Sequence, residues 1–333
     1  IVSPAKGLLL YDTTTSGFWF HNGSAWTQLS VGNNGWNLGG NAGTNAATNF
    51  IGTSDNQPLR FRVNNMWAGE IHPTNSNIFL GLNAGNPVST GVINTAIGDQ
   101  ALSANTIGSY NTAYGTSTLL SNTTGSVNTA LGVYALVQNT TGYGNTAVGA
   151  DALNISTTGN ENTAVGFQAL LNIEDVSQNT AIGSKALAAN TTGSYNTAVG
   201  AATLLSNTTG GYNVATGIHA LQFNSTGGAN TASGANALTN NTTGDNNTAS
   251  GALALFSNTS GKFNTTTGVQ ALTSNITGYN NVASGNEALY SNNSGFYNTS
   301  MGYRSLYFNT AGYENTAFGG QALYSNINGA FNS

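Results

Sequence analysis

Apolar positions in this chain recur with a fixed 17-residue period over most of its length. The segment Asn94-Thr95-Ala96-Ile97-Gly98 returns as Asn111-Thr112-Ala113-Tyr114-Gly115 and again as Asn128-Thr129-Ala130-Leu131-Gly132. The same start recurs at every seventeenth position to Asn315, fourteen times without an insertion or deletion. A degenerate copy precedes them at Asn77-Ile78-Phe79-Leu80-Gly81. One copy has the consensus N-T-A-x-G-x-x-A-L-x-x-N-T-T-G-x-x. Gly fills position 5 in every full copy (Gly98, Gly115, Gly132, Gly149 and onward), and Leu fills position 9 (Leu102, Leu119, Leu136, Leu153, to Leu323). A second Gly holds position 15 in all but one copy, as in Gly108 and Gly329.

A constant period of this length is the mark of a solenoid, in which each copy is one coil stacked on the last. Helix is excluded, because Asn, Thr and Gly are poor in helix interiors and every copy but one carries two such glycines. N-T-A-x-G predicts a short strand ended by a turn, and A-L-x-x-N predicts a second short strand. The two glycines predict corners that need a left-handed or tightly bent backbone. Leu at position 9 and Ala at positions 3 and 8 form the inward columns. Asn at positions 1 and 12 predicts two amide ladders running from coil to coil. The expected fold is therefore all-β: a parallel β-solenoid of 17-residue coils over residues 77–333. Stacked coils rise about 4.8 Å each, so this array is a rod on the order of 70 Å long. Its thin Leu and Ala interior offers little apolar area per coil. That predicts association of several chains.

Before the array, residues 1–30 alternate apolar and polar around Gly17 and Asn22-Gly23. This predicts a small β-meander with an Asn-Gly hairpin turn. Residues 31–47 are rich in Gly, Asn and Ala and predict a linker. Residues 48–76, with Arg60, Arg62 and Glu70, predict a few strands that cover the open edge of the solenoid. The absence of an initiator Met at Ile1, and an ending at Asn332-Ser333 where a further repeat would begin, suggest a piece of a longer protein.

Composition narrows the function classes. Charged residues make up 5% of the chain, against roughly 25% in ordinary domains. Six Lys and Arg in 333 residues supply no stripe for phosphate contacts, which argues against nucleic acid. No apolar run is long enough to span a bilayer. Cys is absent, which removes disulfides and thiolate metal sites. The hydrophobic share of 39%, fixed in columns, argues against disorder.

Candidate chemistry is sparse. His21, His72 and His219 show no spacing for metal ligation or a catalytic triad, and no catalytic, cofactor or metal residue is assigned. Glu174 and Asp175 lie in the one copy without Gly at position 15 and predict a solvated corner. Phe18, Trp19, Phe20 and Trp26 predict a small β-domain core or a sugar-stacking surface. Late copies gain aromatics at Tyr290, Phe296, Tyr297, Tyr303, Tyr307, Phe308, Tyr313 and Tyr324. Positions 10, 16 and 17 are not inward columns, so these rings predict either a contact surface or packing against a neighbouring chain. Position 4 drifts from Ile97, Leu131 and Val148 to Ser233, Ser250 and Ser284. The Thr column at position 2 (Thr95, Thr112, Thr129) suits strands. An ice-binding face would repeat Thr on both sides of one apolar residue, which position 4 does not provide.

The N-T-A-V-G-x-x-A-L pattern, clearest at Asn145–Gly149, Asn162–Gly166 and Asn179–Gly183, resembles the repeats of trimeric autotransporter adhesin heads. With its N-T-T-G extension it also resembles arrays in secreted surface proteins of Bacteroidota-like bacteria and in phage tail fibres. The segments Lys6–Thr13, Phe18–Trp26 and Phe50–Leu59 are similar to what precedes such arrays. The resemblance implies a left-handed roll, three chains in one trunk, and an extracellular or virion-borne fibre that attaches to a glycan or protein receptor. The strict 17-residue period departs from the adhesin heads. A polysaccharide-active solenoid enzyme would need acidic or basic side chains gathered on one face, and the repeats lack them.

Overall fold

The computed structural model describes residues 4–29 and 39–333, and these fall into two compact units, residues 1–54 and 55–333. Residues 31–38 of the expected linker lie outside the described residues.

The first unit is a three-stranded antiparallel sheet of β1 (Leu9–Asp12), β2 (Gly17–His21) and β3 (Trp26–Gln28) in sequential order. The Asn22-Gly23 pair makes the second turn. The Asn22 side-chain oxygen accepts hydrogen bonds from the Ser24 and Ala25 amides, both at 2.9 Å. At the first turn, Asp12 accepts from the Thr14 amide and the Thr15 hydroxyl, each at 2.8 Å.

The second unit begins with an antiparallel hairpin, β4 (Leu59–Val63) and β5 (Met66–Ile71), and β5 pairs with β6 (Ile78–Leu80). From β6 onward all pairing is parallel. β7 (Thr95–Ile97) is followed once per repeat by another three-residue strand, ending at β20 (Thr316–Phe318). The register never slips: Ala147 faces Ala164, and Ala164 faces Ala181. The hairpin covers the first coil. Trp67 packs on the core and donates from its indole to the Ala84 carbonyl at 2.7 Å. Glu70, buried on β5, is paired with Arg60 at 3.2 Å.

Each coil holds one strand, not two. The A-L-x-x-N stretch is a turn, and its Leu lies in the left-handed region in every full copy, as at Leu102 (φ 55°) and Leu238 (φ 50°). Positions 7 and 17 are left-handed as well, with Gln100 and Tyr110 as examples. Strand propensity loses here because the coil must close within a single repeat, and successive left-handed residues bend the chain around its own core. Such a conformation costs roughly 1–2 kcal/mol for an L residue. The turn recovers part of this through bonds between coils. The Leu136 amide donates to the Ala152 carbonyl of the next coil at 3.0 Å, and Tyr134 donates to Thr116 of the preceding one at 3.1 Å.

The two glycine columns serve different purposes. Gly98 and its equivalents at position 5 have φ near 130–140° in most coils, a region open to Gly alone. The position-15 column, exemplified by Gly125, keeps a negative φ, so of the two expected alternatives it is not the left-handed one. A Cβ at Gly125 would run into the Asn122 side-chain oxygen and the Gly142 carbonyl, so closeness of approach selects Gly at this position.

The core follows the columns. Leu at position 9 is fully buried from Leu102 to Leu306, and the Ala columns are buried beside it. A single chain therefore encloses its own apolar interior. Asn ladders run alongside. The Asn111 amide and side chain both donate to the Asn94 side-chain oxygen, at 3.0 and 3.2 Å, and the side chain also donates to the Gly125 carbonyl at 2.9 Å. This position-1 ladder is unbroken from Asn77 to Asn332. Hydroxyls that replace core alanines find partners. Thr118 donates to the Gly115 carbonyl at 2.6 Å, and Ser300 and Ser305, introduced in the same coil, bond each other. In the first coil Phe79 takes the inward place of Ala while Gly85 takes that of Leu. A Cβ on Gly85 would strike the Phe79 ring, so the two exchanges compensate in volume.

Candidate contact surfaces

With the core columns buried, the side chains free to make contacts are those at outward positions. The strands expose residues 2 and 4 and bury residue 3, so the outer face of the sheet carries two parallel rows. The position-2 row is mostly Thr. The position-4 row is apolar in the first half, where Leu80, Tyr114, Leu131 and Ile182 are between 41% and 54% exposed. It then changes to Thr216, Ser233, Ser250, Thr267 and Ser284, and becomes apolar again at Met301 and Phe318.

The late aromatics form two ladders with one ring per coil. Tyr290, Tyr307 and Tyr324 stack at position 10, with centroids 5.0 and 5.4 Å apart. Tyr279, Phe296 and Tyr313 stack at position 16, with centroids 5.0 and 4.9 Å apart. Tyr297 and Phe308 pack edge-on against these columns, and Tyr303 lies under the Arg304 guanidinium. The rings of each ladder lie within 20° of parallel, so their faces contact one another and mainly edges point outward. Arg304 is tied to Glu287 one coil away, which raises its pKa further, and burial raises that of the Tyr307 phenol. The ladder is legible in the sequence as aromatics one repeat apart. Its self-stacking is a consequence of a coil spacing close to the thickness of a ring stack.

Other candidates are dispersed. His21 is buried on β2 against Trp26, His72 accepts amide hydrogen bonds in the loop after β5, and His219 occupies a left-handed turn position many coils further along. Phe18 is largely exposed, while Trp19, Phe20 and Trp26 are half-buried; Trp19 and Trp26 line a shallow cleft of about 260 Å³ with Leu10 and Asp12. The Asp12 carboxyl is held below the usual range, chiefly by the Thr14 amide. Glu174 and Asp175 do not act as a pair. Asp175 accepts from the Thr157 hydroxyl at 2.6 Å and the Thr158 amide at 3.2 Å, and the former dominates in lowering its pKa. No group of three His, Asp or Glu side chains suited to a metal ion occurs among the described residues, and none of their elements is a helix able to cross a membrane.

A feature not anticipated from sequence lies at coils 179–246. Gly211 and Gly228 at position 16 and Ala229 at position 17 leave a notch of about 460 Å³, walled by Tyr195 and Tyr212 on one side and Asp245 and Asn246 on the other. Three small residues at adjacent outward positions were its only signal in the sequence. Comparison with protein-family models, with curated proteins and with solved structures finds no match to this chain.

Proposed function

We propose that the chain is a non-catalytic structural and adhesive segment of an extracellular fibre or cell-surface appendage. The observation that carries this reading is the unbroken in-register stack: sixteen position-1 asparagines joined from Asn77 to Asn332 with no insertion between coils. Insertions between coils are where repeat proteins usually build enclosed sites, whereas a stiff rod with drifting outward residues suits a spacer that carries contacts at a distance. The resemblance of the N-T-A-V-G repeats to adhesin heads points the same way.

Self-association belongs to the same reading. The exposed apolar row from Leu80 to Ile182 lies along the outer sheet face and is flanked by short Thr side chains. A contiguous apolar strip of this kind marks an interaction surface, and three copies meeting along it would form one trunk. Sedimentation equilibrium should give three times the chain mass of 33.9 kDa. Leu131→Lys with Ile182→Lys should return the monomer without loss of β-structure. For adhesion, beads coated with the chain should attach to cell or glycan-coated surfaces more than beads coated with an unrelated rod. Equal attachment would sink the adhesive reading, and a wild-type monomer would sink the trimer.

A further inference from the structure

We propose that the notch between Tyr212 and Asn246 binds a single neutral pyranose ring. The proposal deepens the adhesive reading and rests on it. Tyr195 and Tyr212 stack at 4.9 Å, but the column stops there, because Ala229 and then Asn246 follow at position 17. Tyr212 is 67% exposed, whereas the rings of the later ladders cover each other's faces. Its outer face thus borders a gap of two coil spacings floored by Gly228 and Ala229, and the notch continues over Gly211 in the coil of Tyr212 itself.

The gap has the thickness of one ring. Two coil spacings amount to roughly 10 Å. A ring held between two walls at ordinary carbon contact distance needs about 7–8 Å between them. The chemistry of the walls is unequal. One is an aromatic face and takes the C–H face of a sugar. The other is made by Asp245 and Asn246, which carry a carboxylate and an amide, and Thr192 and Thr209 line the same notch. Asp245 is already oriented: the Gly228 amide donates to one oxygen at 2.9 Å and Lys262 to the other at 2.6 Å. Each oxygen retains a lone pair for a sugar hydroxyl. Lys262 also balances its charge, so the notch favours a neutral ligand over an ionic one. An aromatic side chain would use Tyr212 and leave the polar wall without a partner.

The test uses the full chain and the methyl glycosides of glucose, galactose, mannose and N-acetylglucosamine, with p-cresol as the aromatic competitor. Saturation-transfer NMR and equilibrium titration should show at least one glycoside binding in the millimolar range. Tyr212→Ala should weaken it about tenfold or more, equivalent to about 1.4 kcal/mol. Ala229→Tyr continues the stack into the notch and should abolish binding with unchanged circular dichroism, since Tyr already occupies this left-handed position at 195 and 212. Tyr110→Ala, at the same position in a distant coil, should change nothing. Absence of binding by every glycoside, undiminished binding by Ala229→Tyr, or binding of p-cresol alone would each overturn the proposal. Retained surface attachment in that case would leave the adhesive reading standing, and loss of attachment with intact glycoside binding would separate the two in the other direction.

Discussion

At the scale of the residue, this chain places side chains where backbone preference opposes them. A Leu at φ near 50–55° recurs in every full coil and is fully buried in all but the last, and nothing in its intrinsic propensity foretells it. The inward role of Leu is plain from its column, but its dihedral is not, because a strand and a left-handed turn can carry the same side chain to the same core. Glycine is easier to interpret, and its positions separate two costs. Gly144 has φ 67° with no atom closer than 3.5 Å to an added Cβ, so Gly144→Ala should cost only the left-handed penalty, about 1 kcal/mol. Gly234 has φ 135°, and an added Cβ would lie 2.7 Å from the Gly251 carbonyl carbon. Gly234→Ala should therefore cost more than about 3 kcal/mol, combining a Gly-only conformation with displacement of the next coil. Urea unfolding of the two variants beside wild type measures the difference. Similar midpoints would show that the stack yields at the close approach of Gly234 to Gly251.

At the scale of the element, the informative coil is the irregular one. The position-12 ladder runs through Asn105, Asn122 and Asn139 and resumes at Asn190, with Ser156 and Ile173 between. Ser156 is too short to continue it. Asn139 Oδ1 and Ser156 Oγ are left buried with no hydrogen-bond partner, a cost of about 1–3 kcal/mol for each such group. Val176 replaces Gly in the same coil, and with Ile173 buried the corner leans on Asp175 instead. Changing Ser156 alone would move the orphan to residue 156. The combination Ser156→Asn, Ile173→Asn and Val176→Gly rebuilds all three repeat positions and should raise the melting temperature by a few degrees; an unchanged or lower value would refute the account. The Asp175 carboxylate has a lowered folded pKa, so its contribution is present above the ordinary value of 3.8 and is lost as pH falls below that value through the folded pKa. Amide exchange at Thr158 should accelerate, relative to the Thr192 corner, over that acid window and not above it. The period, the columns and both Asn ladders were legible in the sequence because each is a one-residue rule repeated many times. The turn that stands in place of a second strand, and the notch, are not legible there, because both depend on what the adjacent coil puts beside a residue and not on the residue itself.

At the scale of the whole array, stability is a sum of coils and of the bonds between them. Away from the ends and the irregular coil at 162–178 with its neighbours, each coil meets the same column residues above and below, so the unit of change is one whole repeat and no other length. Deleting residues 264–280 brings Asn247 against Asn281, Asn258 against Asn292 and Gly251 against Gly285, and each new pair repeats one already present in the stack. The chain should fold as before, with a rod shorter by about one inter-strand spacing of 4.8 Å, and its melting temperature should fall only slightly. Deleting residues 264–279 removes one residue fewer and has the opposite consequence. The coil from Asn281 is displaced by one position relative to the coil beneath, so Ala249 meets Val282, Leu255 meets Ala288, and Gly251 meets Ser284, a side chain that the position-5 spacing cannot admit. Slipping a parallel strand by one residue also exchanges its inward and outward faces. Small-angle scattering and thermal unfolding of the two deletions therefore make a paired measurement. A cooperative, slightly shorter rod for the whole-repeat deletion and a broad or early transition for the deletion one residue short is the expected result. Two equally stable products would mean that the coils behave as linked beads, and the stiff spacer on which the adhesive reading depends would be lost with them.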